Sequence, residues 1–574
     1  MNMKTVMIAL AAFAMGGAAN AITSEEIAAA LDVDSSVGTF STSGYSDWYI
    51  DTNAVNGATS MRSGALPGNS SSWLWSDLNV SLSVKEASYL TFKIKTHSRN
   101  NGSNDSYLGI KIDGGSTSVY AGDLDWREVT LVVIPGEHLL HFGFGKRYYN
   151  DSNSGYCAWV DDFKLTPILP KSSKVEVTNI KCQQRYPWNG MVDIDYTVRS
   201  EDPNAEVWVY PIGYDKDSNT SMAPRSLTGD GVDAPVSNGT FRMTWKVTDD
   251  YPEFHSTAFT VKMIALTGSA PYMVVDLSGG VDALSYPVSY LSSVPEGGWG
   301  DEYKTTKLVL RLIPPGSFMM GSPSDENGRS SYEDLHGVVL TKPFYIGVFE
   351  VTQKQYQLVM GGDPSSQKGD MRPVEQVSYD NIRGSVNGAG WPTHNQVDAN
   401  SFMGRLRSKV NMLFDLPTEA QWEYACRAGT ASALNSGKSY SAANLKEVAR
   451  CNFNSGNDSR NYPCDNNGGY SYATKVGSYN ANTWGLYDMH GNVSELCRDF
   501  WSGYEGLGYA GVVDPAGKTY SYRQSDGYRY RICKGGNFGT TSECRSAYHY
   551  SGHMNCNSTS WTVGFRVFCS PVAE

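Results

Sequence analysis

Cysteine is the residue type of this sequence with the most evident capacity for chemistry. Cys157 and Cys182 stand alone, and the other eight of the ten fall in the last 150 residues: Cys426, Cys451, Cys464, Cys497, Cys533, Cys544, Cys556 and Cys569. Thiolates bind soft metal ions, and in an oxidising compartment an even, clustered set of cysteines favours a disulfide framework. The spacing leaves the pairing of these cysteines open.

The nine histidines offer a second candidate for a metal centre. His549 and His553 lie four residues apart, which suits one face of a helix, but Gly552 between them favours a loop. A non-haem iron site would need two histidines and a carboxylate. The motifs of nucleophile-elbow hydrolases, HExxH zinc proteases, P-loop NTPases and dinucleotide-binding folds are absent from the sequence.

Tryptophans in the N-terminal third form a candidate surface for carbohydrate. Trp73 and Trp75 alternate onto one face of a predicted strand, and Trp48, Trp126 and Trp159 lie in the same region. Flat aromatic rings suit the apolar faces of sugars, but the same spacing also suits the core of a sandwich. We expect Trp159 to pack between two sheets.

The charge of the chain disfavours nucleic acid and anionic membranes as partners. Its 574 residues include 47 Lys and Arg against 59 Asp and Glu, which gives a formal net charge of −12 without any basic run. Phosphate backbones and anionic lipids require a positive surface. The partners that remain are a protein or peptide, or a glycan.

Residues 1–21 have the pattern of a signal peptide. A short basic start precedes the apolar run 5–17 and the small-residue segment 19–21. We predict cleavage after Ala21. Because the apolar run is too short to span a bilayer, the sequence predicts a secreted or periplasmic protein without a transmembrane segment.

Two β-rich regions follow. Residues 22–168 contain runs of alternating polar and apolar residues, such as 89–95 and 128–134, which predict an antiparallel sandwich. Residues 136–144 and then 156–163 resemble the last strands of bacterial jelly-roll, concanavalin-like modules. Residues 174–290 repeat the alternation and favour an Ig-like or fibronectin-like sandwich.

Residues 300–574 have a different character, with irregular Gly, Asn and Trp spacing and two helical signals. One is residues 351–359, and the other is 417–427, where Thr418 and Gln421 have the spacing of a capping box. Nine landmarks occur in this region: Phe318–Gly321, Pro343–Thr352, Pro373–Ser378, Leu416–Tyr424, Gly485–Glu495, Asp514–Pro515, Lys534–Phe538, Cys544–Ala547 and Gly564–Arg566. Because these landmarks occur in the family's order, this region resembles the sulfatase-modifying factor family, which includes the formylglycine-generating enzyme. The resemblance implies an α+β, C-type-lectin-like fold.

The resemblance argues against copper as a cofactor. The family's oxidase holds Cu(I) with two cysteines, the first four residues after a pair of glycines and the second five residues later. Counted from Gly536, these positions are Thr540 and Arg545, and Cys544 is displaced by one residue. A threonine hydroxyl is a hard, neutral donor that suits Cu(I) poorly. Cys544 is the candidate catalytic residue, and half of a structural disulfide is its alternative.

The resemblance also implies bound Ca²⁺. The ligands carried over are Asp488 and Glu495 by side chain, and Met489, Gly491 and Val493 by backbone carbonyl, with a second site beginning at Asn452. Such a turn can supply the hard oxygens that calcium prefers. The alternative is a turn in which the two carboxylates only accept backbone N–H groups.

The lectin-like relatives use the last loops of this domain as a variable binding face. The residues this implies are Asn537, Arg545, Tyr548, His549 and Trp561. We therefore predict an exported sulfatase-modifying-factor-like protein that lacks the copper-cysteine oxidase site. It would act as a calcium-stabilised protein- or glycan-binding module. The alternative is an active formylglycine-generating oxidase, or a related metal-dependent oxidase, that matures sulfatases.

Overall fold

The computed structural model describes most of the chain. The described residues are 22–67, 70–85, 87–98, 105–114, 117–148, 155–168, 175–215, 220–222, 224, 226–232, 234–251, 254, 256–267, 270–454, 472–501, 512–517, 529–550 and 555–570. The predicted signal peptide, Cys464 and His553 lie outside them. Among the helices of the described part, none is long and apolar enough to cross a membrane.

The N-terminal strands form two five-stranded sheets. After a capped helix α1 (Ser24–Ala30), the strands are β1 (Gly38–Gly44), β2 (Tyr49–Asp51), β3 (Ser60–Arg62), β4 (Ser70–Val84), β5 (Ser88–His97), β6 (Ser106–Ile112), β7 (Ser118–Tyr120), β8 (Leu124–Val133), β9 (Gly136–Tyr148) and β10 (Cys157–Pro167). One sheet has the order β1-β4-β9-β6-β7 and the other β2-β3-β10-β5-β8. The alternation predicted from the sequence is visible in β5, whose residues are alternately buried and more exposed.

Aromatic rings join the inner faces of these two sheets. Phe142 of β9 lies edge-on to Phe92 of β5, with ring centroids 5.0 Å apart, and Phe163 of β10 stacks on Phe92 at 5.5 Å. Large apolar side chains on the inward positions of both sheets remove most of their surface from water, which stabilises the pair of sheets. Trp159 is 8% exposed, but it is the cross-strand neighbour of Arg62, and the cations of Arg62 and Lys95 lie 5.1 and 5.7 Å from its ring centroid. The prediction that Trp159 packs between the two sheets is therefore not confirmed.

The second region also consists of two sheets. Its elements are β11 (Val175–Gln184), β12 (Met191–Ser200), β13 (Val207–Asp215), β14 (Thr220–Met222), β15 (Leu227–Gly229), β16 (Gly239–Lys246), α2 (Val247–Asp250) and β17 (Phe259–Thr267). The orders are β11-β12-β16-β15 and β14-β13-β17. Val192, Ile194, Tyr196 and Val198 of β12 all point into the shared core, as the period of two predicts.

The C-terminal region mixes short helices with short strands. Its helices are α3 (Gln353–Met360), α4 (Tyr379–Arg383), α5 (Phe402–Val410), α6 (Glu419–Arg427) and α7 (Ala442–Val448). Its strands are β18 (Tyr272–Asp276), β19 (Val288–Leu291), β20 (Lys307–Ile313), β21 (Gly316–Met320), β22 (His336–Leu340), β23 (Phe344–Gly347), β24 (Phe414–Asp415), β25 (Ala449–Arg450), β26 (His490–Gly491), β27 (Ser494–Phe500), β28 (Val512–Val513), β29 (Arg531–Lys534), β30 (His549–Tyr550), β31 (Val563–Gly564) and β32 (Phe568–Cys569).

The largest sheet of this region has the order β19-β18-β20-β23-β32-β24. Because β18 and the start of β19 lie before residue 290, the C-terminal sheet begins upstream of the boundary expected at residue 300. Both predicted helical signals are confirmed by α3 and α6. The capping box of α6 forms between Thr418 and Gln421, which satisfies donors at the helix start.

Candidate functional site

The loop that carries the predicted oxidase positions, residues 535–545, begins at the end of β29, and we call it the oxidase loop. Gly535 and Gly536 both have positive φ, 86° and 65°, and turn the chain out of the strand. A Cβ atom on Gly536 would lie 2.8 Å from the Sγ atom of Cys544, so this position requires glycine. The turn therefore brings Thr540 and Cys544 together beside the paired glycines.

Cys544 lies in this loop as a buried thiol. Its Sγ atom is 3.4 Å from Oγ1 of Thr540 and 3.8 Å from the carbonyl oxygen of Asn537. Burial raises the pKa of the Cys544 thiol far above its usual value. Because the thiolate is the nucleophile and the metal ligand, a thiol kept protonated at neutral pH is poorly prepared for either role.

Arg545, which the resemblance places at the second oxidase position, lies inside the protein. Its Nη1 and Nη2 atoms donate to the two carboxylate oxygens of Glu333 at 2.7 Å each, and Nη1 also donates to Glu326 at 2.6 Å. The side chains of Arg545 and Glu333 are both 0% exposed. The prediction that Arg545 belongs to a binding face is therefore wrong, because its charge is already satisfied by two buried carboxylates.

The other predicted face residues differ in their exposure. Trp561 is 42% exposed and packs edge-on against the buried Phe538, with ring centroids 5.5 Å apart. Tyr548 and His549 are half-buried, and Nδ1 of His549 lies 2.6 Å from Oε1 of Glu419. Asn537 is half-buried, and its Nδ2 donates to Oγ of Ser494 at 3.1 Å. Of the predicted face residues, Trp561 offers the largest accessible ring.

The two side chains predicted to hold calcium are both buried. Oδ2 of Asp488 accepts the N–H of Gly477 at 2.6 Å, whereas Oδ1 is buried without a hydrogen-bond partner among the described residues. Both oxygens of Glu495 are held by Arg566 at 2.6 and 2.7 Å, and Trp422 donates a further hydrogen bond at 2.7 Å.

This arrangement does not fit calcium at Glu495. An Arg566–carboxylate pair with 0% and 1% exposure uses the lone pairs that a cation would need. Among the described residues, no group of three His, Cys, Asp or Glu side chains is arranged to hold a metal ion. Oδ1 of Asp488 has no hydrogen-bond partner among the described residues and could accept a cation. Calcium at this turn therefore stays a prediction from the resemblance.

A third carboxylate that the sequence did not single out completes this buried cluster. Glu350 accepts hydrogen bonds from Nδ2 of Asn492 at 2.5 Å and from the N–H of Val493 at 3.1 Å. Burial and the nearby charges of Asp488 and Glu495 raise the pKa of Glu350, and burial raises the pKa of Asp488 to about 6. Against the effect of burial, the guanidinium of Arg566 lowers the pKa of both Glu350 and Asp488, and the ammonium of Lys304 also lowers the pKa of Asp488.

Asn452, the first residue of the second predicted calcium site, is hydrogen-bonded to the oxidase loop. The N–H of Asn452 donates to the carbonyl of Thr540 at 3.0 Å, and its Nδ2 donates to the carbonyl of Gly539 at 3.1 Å. Asn452 is exposed, and the further ligands expected near residues 465–467 lie outside the described residues. The contacts that are described tie this asparagine to the oxidase loop.

The nine cysteines that the structure describes are free thiols. This corrects the expected disulfide framework and the disulfide alternative for Cys544. Buried cysteines here belong to separate apolar clusters, for example Cys426 and Cys497 in one and Cys533, Cys556 and Cys569 in another. In such surroundings a cysteine packs as a small apolar residue.

Sequence reasoning also missed His490, which supports the oxidase loop. It is fully buried, and its Nδ1 lies 2.6 Å from the carbonyl oxygen of Cys544, while the N–H of Asn435 donates to its Nε2 at 2.9 Å. Burial lowers the pKa of His490 to about 4, so the ring is neutral at pH 7. In the sequence, the one feature that could have drawn attention to His490 was its position within the landmark Gly485–Glu495.

The tryptophans Trp73 and Trp75 lie on the outer face of β4. Leu78, Val80 and Leu82 of the same strand are fully buried on its opposite face, which resolves the choice left open by the alternation. The two indole rings stack with centroids 5.5 Å apart.

Tyr107 of β6 extends this pair of rings. Its ring lies edge-on to Trp73 at 5.1 Å and to Trp75 at 5.5 Å. A Cβ atom on Gly145 of β9 would lie 2.5 Å from the Trp75 ring, so the indole rests directly on the backbone of β9. We call Trp73, Trp75 and Tyr107 the aromatic platform.

A family model described as "Sulfatase-modifying factor enzyme 1-like domain" matches residues 301–570. The chain is 31% identical over 281 residues to the chaperone protein LppX of Paenibacillus barcinonensis, across 45% of this chain and 88% of that protein. It is 30% identical over 167 residues to the formylglycine-generating enzyme of Thermomonospora curvata, across 27% of this chain and 50% of the enzyme. The solved Treponema denticola variable protein 1 is 23% identical with a TM-score of 0.36, over 46% of this chain and 96% of that protein.

Proposed function

This chain belongs to the sulfatase-modifying factor family through its C-terminal region, and we propose that it acts there as a binding protein that has lost the copper-cysteine oxidase. The observation that carries the proposal is the pair of side chains at the oxidase positions. Thr540 brings a hydroxyl where the family has its first thiol, and Arg545 brings a buried, ion-paired guanidinium where it has the second.

Neither replacement leaves a site for Cu(I). Two soft thiolate ligands are required. The sulfur in contact with Thr540 is that of Cys544, and Cys451 belongs to the same apolar cluster, but burial raises the pKa of both thiols and keeps them protonated at neutral pH. To expose Cys544, the loop would have to separate Gly536 from the atoms it packs against. The protein has therefore kept the family's loop as a scaffold while losing the donors that served its chemistry.

A binding role is supported by the aromatic side chains that follow the oxidase loop in the sequence. Trp561 is accessible, and Tyr548 and His549 are half-buried in the same stretch of the sequence. Aromatic side chains give a large contact area at a small cost in conformational entropy. The relative named a chaperone has, by that name, a role in binding another protein, which agrees with a protein or peptide as the partner here. Calcium binding is not required for this proposal.

The proposal is tested by assaying the purified chain for formylglycine formation on a sulfatase peptide that contains a cysteine, with Cu(I) and oxygen supplied. We expect no aldehyde product by mass spectrometry and no stoichiometric copper in the recovered protein. The formylglycine-generating enzyme of Thermomonospora curvata serves as the positive control. Aldehyde formation by this chain above the level of a denatured sample would contradict the proposal and support the alternative of an active oxidase.

The aromatic platform favours a second candidate function, binding of a glycan by the N-terminal sandwich. Its rings lie on the face opposite the core, where they contribute little to the packing between the two sheets. Trp73 stacks on Trp75 and Tyr107 lies edge-on to both, so the platform offers aromatic ring faces and edges that can pack against the apolar faces of pyranose rings. Near it, Nε2 of His141 lies 2.9 Å from Oδ1 of Asp77, and both are polar partners suited to hydroxyl groups.

Replacement of Trp75 by alanine is expected to weaken binding to a polysaccharide by at least about tenfold, because it removes one of the three mutually packed rings of the platform. Affinity electrophoresis in gels that contain xylan, mannan or β-glucan measures the change. Trp188→Ala, a half-exposed ring of the second region at 38% exposure, is the matched control and should leave migration unchanged. If none of these polysaccharides retards the unmodified chain, the platform does not bind such polymers.

A further inference from the structure

A cleft of about 460 Å³ lies within the second compact unit, between strand β13 and the C-terminal region. It is bordered by β13, by β18 and β20 of the large sheet, and by residues 481–487 of the loop that precedes Asp488. Six of its residues carry the argument: Trp208, Tyr210, Tyr272, Trp299, Arg311 and Trp484. None of them belongs to the oxidase loop or to the aromatic platform.

Rings form much of the cleft wall. Tyr272 lies edge-on to Trp299 with centroids 5.1 Å apart, and Trp484 is fixed by an edge-on contact with Tyr424 at 4.9 Å. Trp208 and Trp484 are each 8% exposed, so their positions are set by packing. A wall of fixed rings is suited to a flat ligand, and the volume falls within the usual range for small-molecule sites.

Arg311 supplies the charge of this cleft. Among the described lining residues it is the single charged side chain, since Asp, Glu, Lys and His are absent from them. It is the cross-strand neighbour of Tyr272, and its guanidinium carbon lies 4.8 Å from the centroid of the Tyr272 ring. The stacking fixes the plane of the guanidinium.

The hydrogen-bonding capacity of Arg311 is unused by the described part of the protein. Its Nε atom is buried without a partner there, and the side chain forms no ion pair with a described residue. Two fully buried arginines of this region contrast with the half-buried Arg311, since Arg545 and Arg566 each hold a carboxylate with two hydrogen bonds. An arginine left unpaired in an aromatic cleft is a donor for a ligand anion.

We propose that this cleft binds a small carboxylate carried on a six-membered ring. The carboxylate would pair with Arg311, whose fork matches two carboxylate oxygens, while the ring packs against Trp299 and Tyr272. A sugar acid and an aromatic acid share this chemistry. The proposal concerns a second site and does not depend on the function proposed for the oxidase loop.

Titration calorimetry at low ionic strength on the full chain tests this, with glucuronate and benzoate as the two probes and glucose as the neutral control. We expect saturable binding of at least one acid and at least about tenfold weaker binding of glucose. Preference for glucuronate or for benzoate then distinguishes a sugar acid from an aromatic acid. Equal binding of glucose and glucuronate without benzoate binding, or no binding of either acid up to millimolar concentration, would overturn the proposal.

Arg311→Gln keeps much of the length and polarity of the side chain and removes its charge. It should weaken binding of the acid by at least about tenfold, whereas Arg199→Gln, at an exposed arginine of β12, should not change it. Unchanged affinity in the folded Arg311→Gln variant would also overturn the proposal. Because the comparison with glucose uses the unmodified chain, the test is decided even where this variant does not fold.

Discussion

Replacement of Arg545 by methionine is expected to lower the free energy of unfolding by about 3–5 kcal/mol. The change removes a fully buried guanidinium and leaves Glu333 and Glu326 without their cationic partner, and among the described residues only the hydroxyl of Ser322 still donates to the Glu333 carboxylate. Glu333 is itself 0% exposed, so its charge would remain in a region of low polarity or take up a proton. Urea denaturation followed by tryptophan fluorescence measures the loss.

A solvated ion pair provides the control for this experiment. Nζ of Lys438 lies 2.7 Å from Oε2 of Glu447, and the two side chains are 48% and 44% exposed. Because water replaces the lost interaction there, Lys438→Gln should cost less than about 1 kcal/mol. Similar losses for the two variants would mean that the Arg545 pair is accessible to water, and would reopen position 545 as part of a binding face.

Replacement of Thr540 by cysteine is expected to create a Cu(I) site, with at least about 100-fold tighter binding than in the unmodified chain. Oγ1 of Thr540 lies 3.4 Å from Sγ of Cys544, so the new sulfur would stand beside the existing one. Two thiolates form a soft ligand pair, and the metal charge favours loss of the proton that burial holds on Cys544. Competition with a coloured Cu(I) chelator under reducing conditions measures the affinity.

Two variants make this result specific to the pair of sulfurs. Thr540→Ser keeps the hydroxyl and should bind no more copper than the unmodified chain. Cys544→Ser in the Thr540→Cys background should lose the gain, because one thiolate is left. If Thr540→Cys binds copper no better than Thr540→Ser, then Thr540 and Cys544 do not stand where the family holds its metal.

The sequence by itself determined the features that depend on near neighbours along the chain. The alternation in 89–95 predicted β5, because successive side chains of a strand point to opposite faces. Thr418 and Gln421 predicted the start of α6, because a capping box is closed within four residues. The ordered landmarks predicted the family, and counting from Gly536 led to the prediction that Thr540 and Arg545 stand in place of its cysteines.

The sequence did not predict which partners the individual charged side chains meet in the fold. Arg545 was expected on a surface, but it meets Glu333, 212 positions away in the chain, inside the core. Glu495 was expected to bind calcium, but Arg566, which follows β31, reaches both of its oxygens. A carboxylate binds a cation or an arginine according to which donor the fold brings within hydrogen-bond distance.

Tertiary structure likewise decided which side of a sheet a residue occupies and what stands opposite it. The spacing of Trp73 and Trp75 placed them on one face of β4, and only packing against the second sheet made that the outer face. Arg311 carried no signal in the sequence, because its cleft is assembled from β13, β20 and the loop at 481–487. Local patterns fix periodicity and turns, whereas burial, charge pairing and clefts depend on contacts between distant segments, which exist only once the chain is folded.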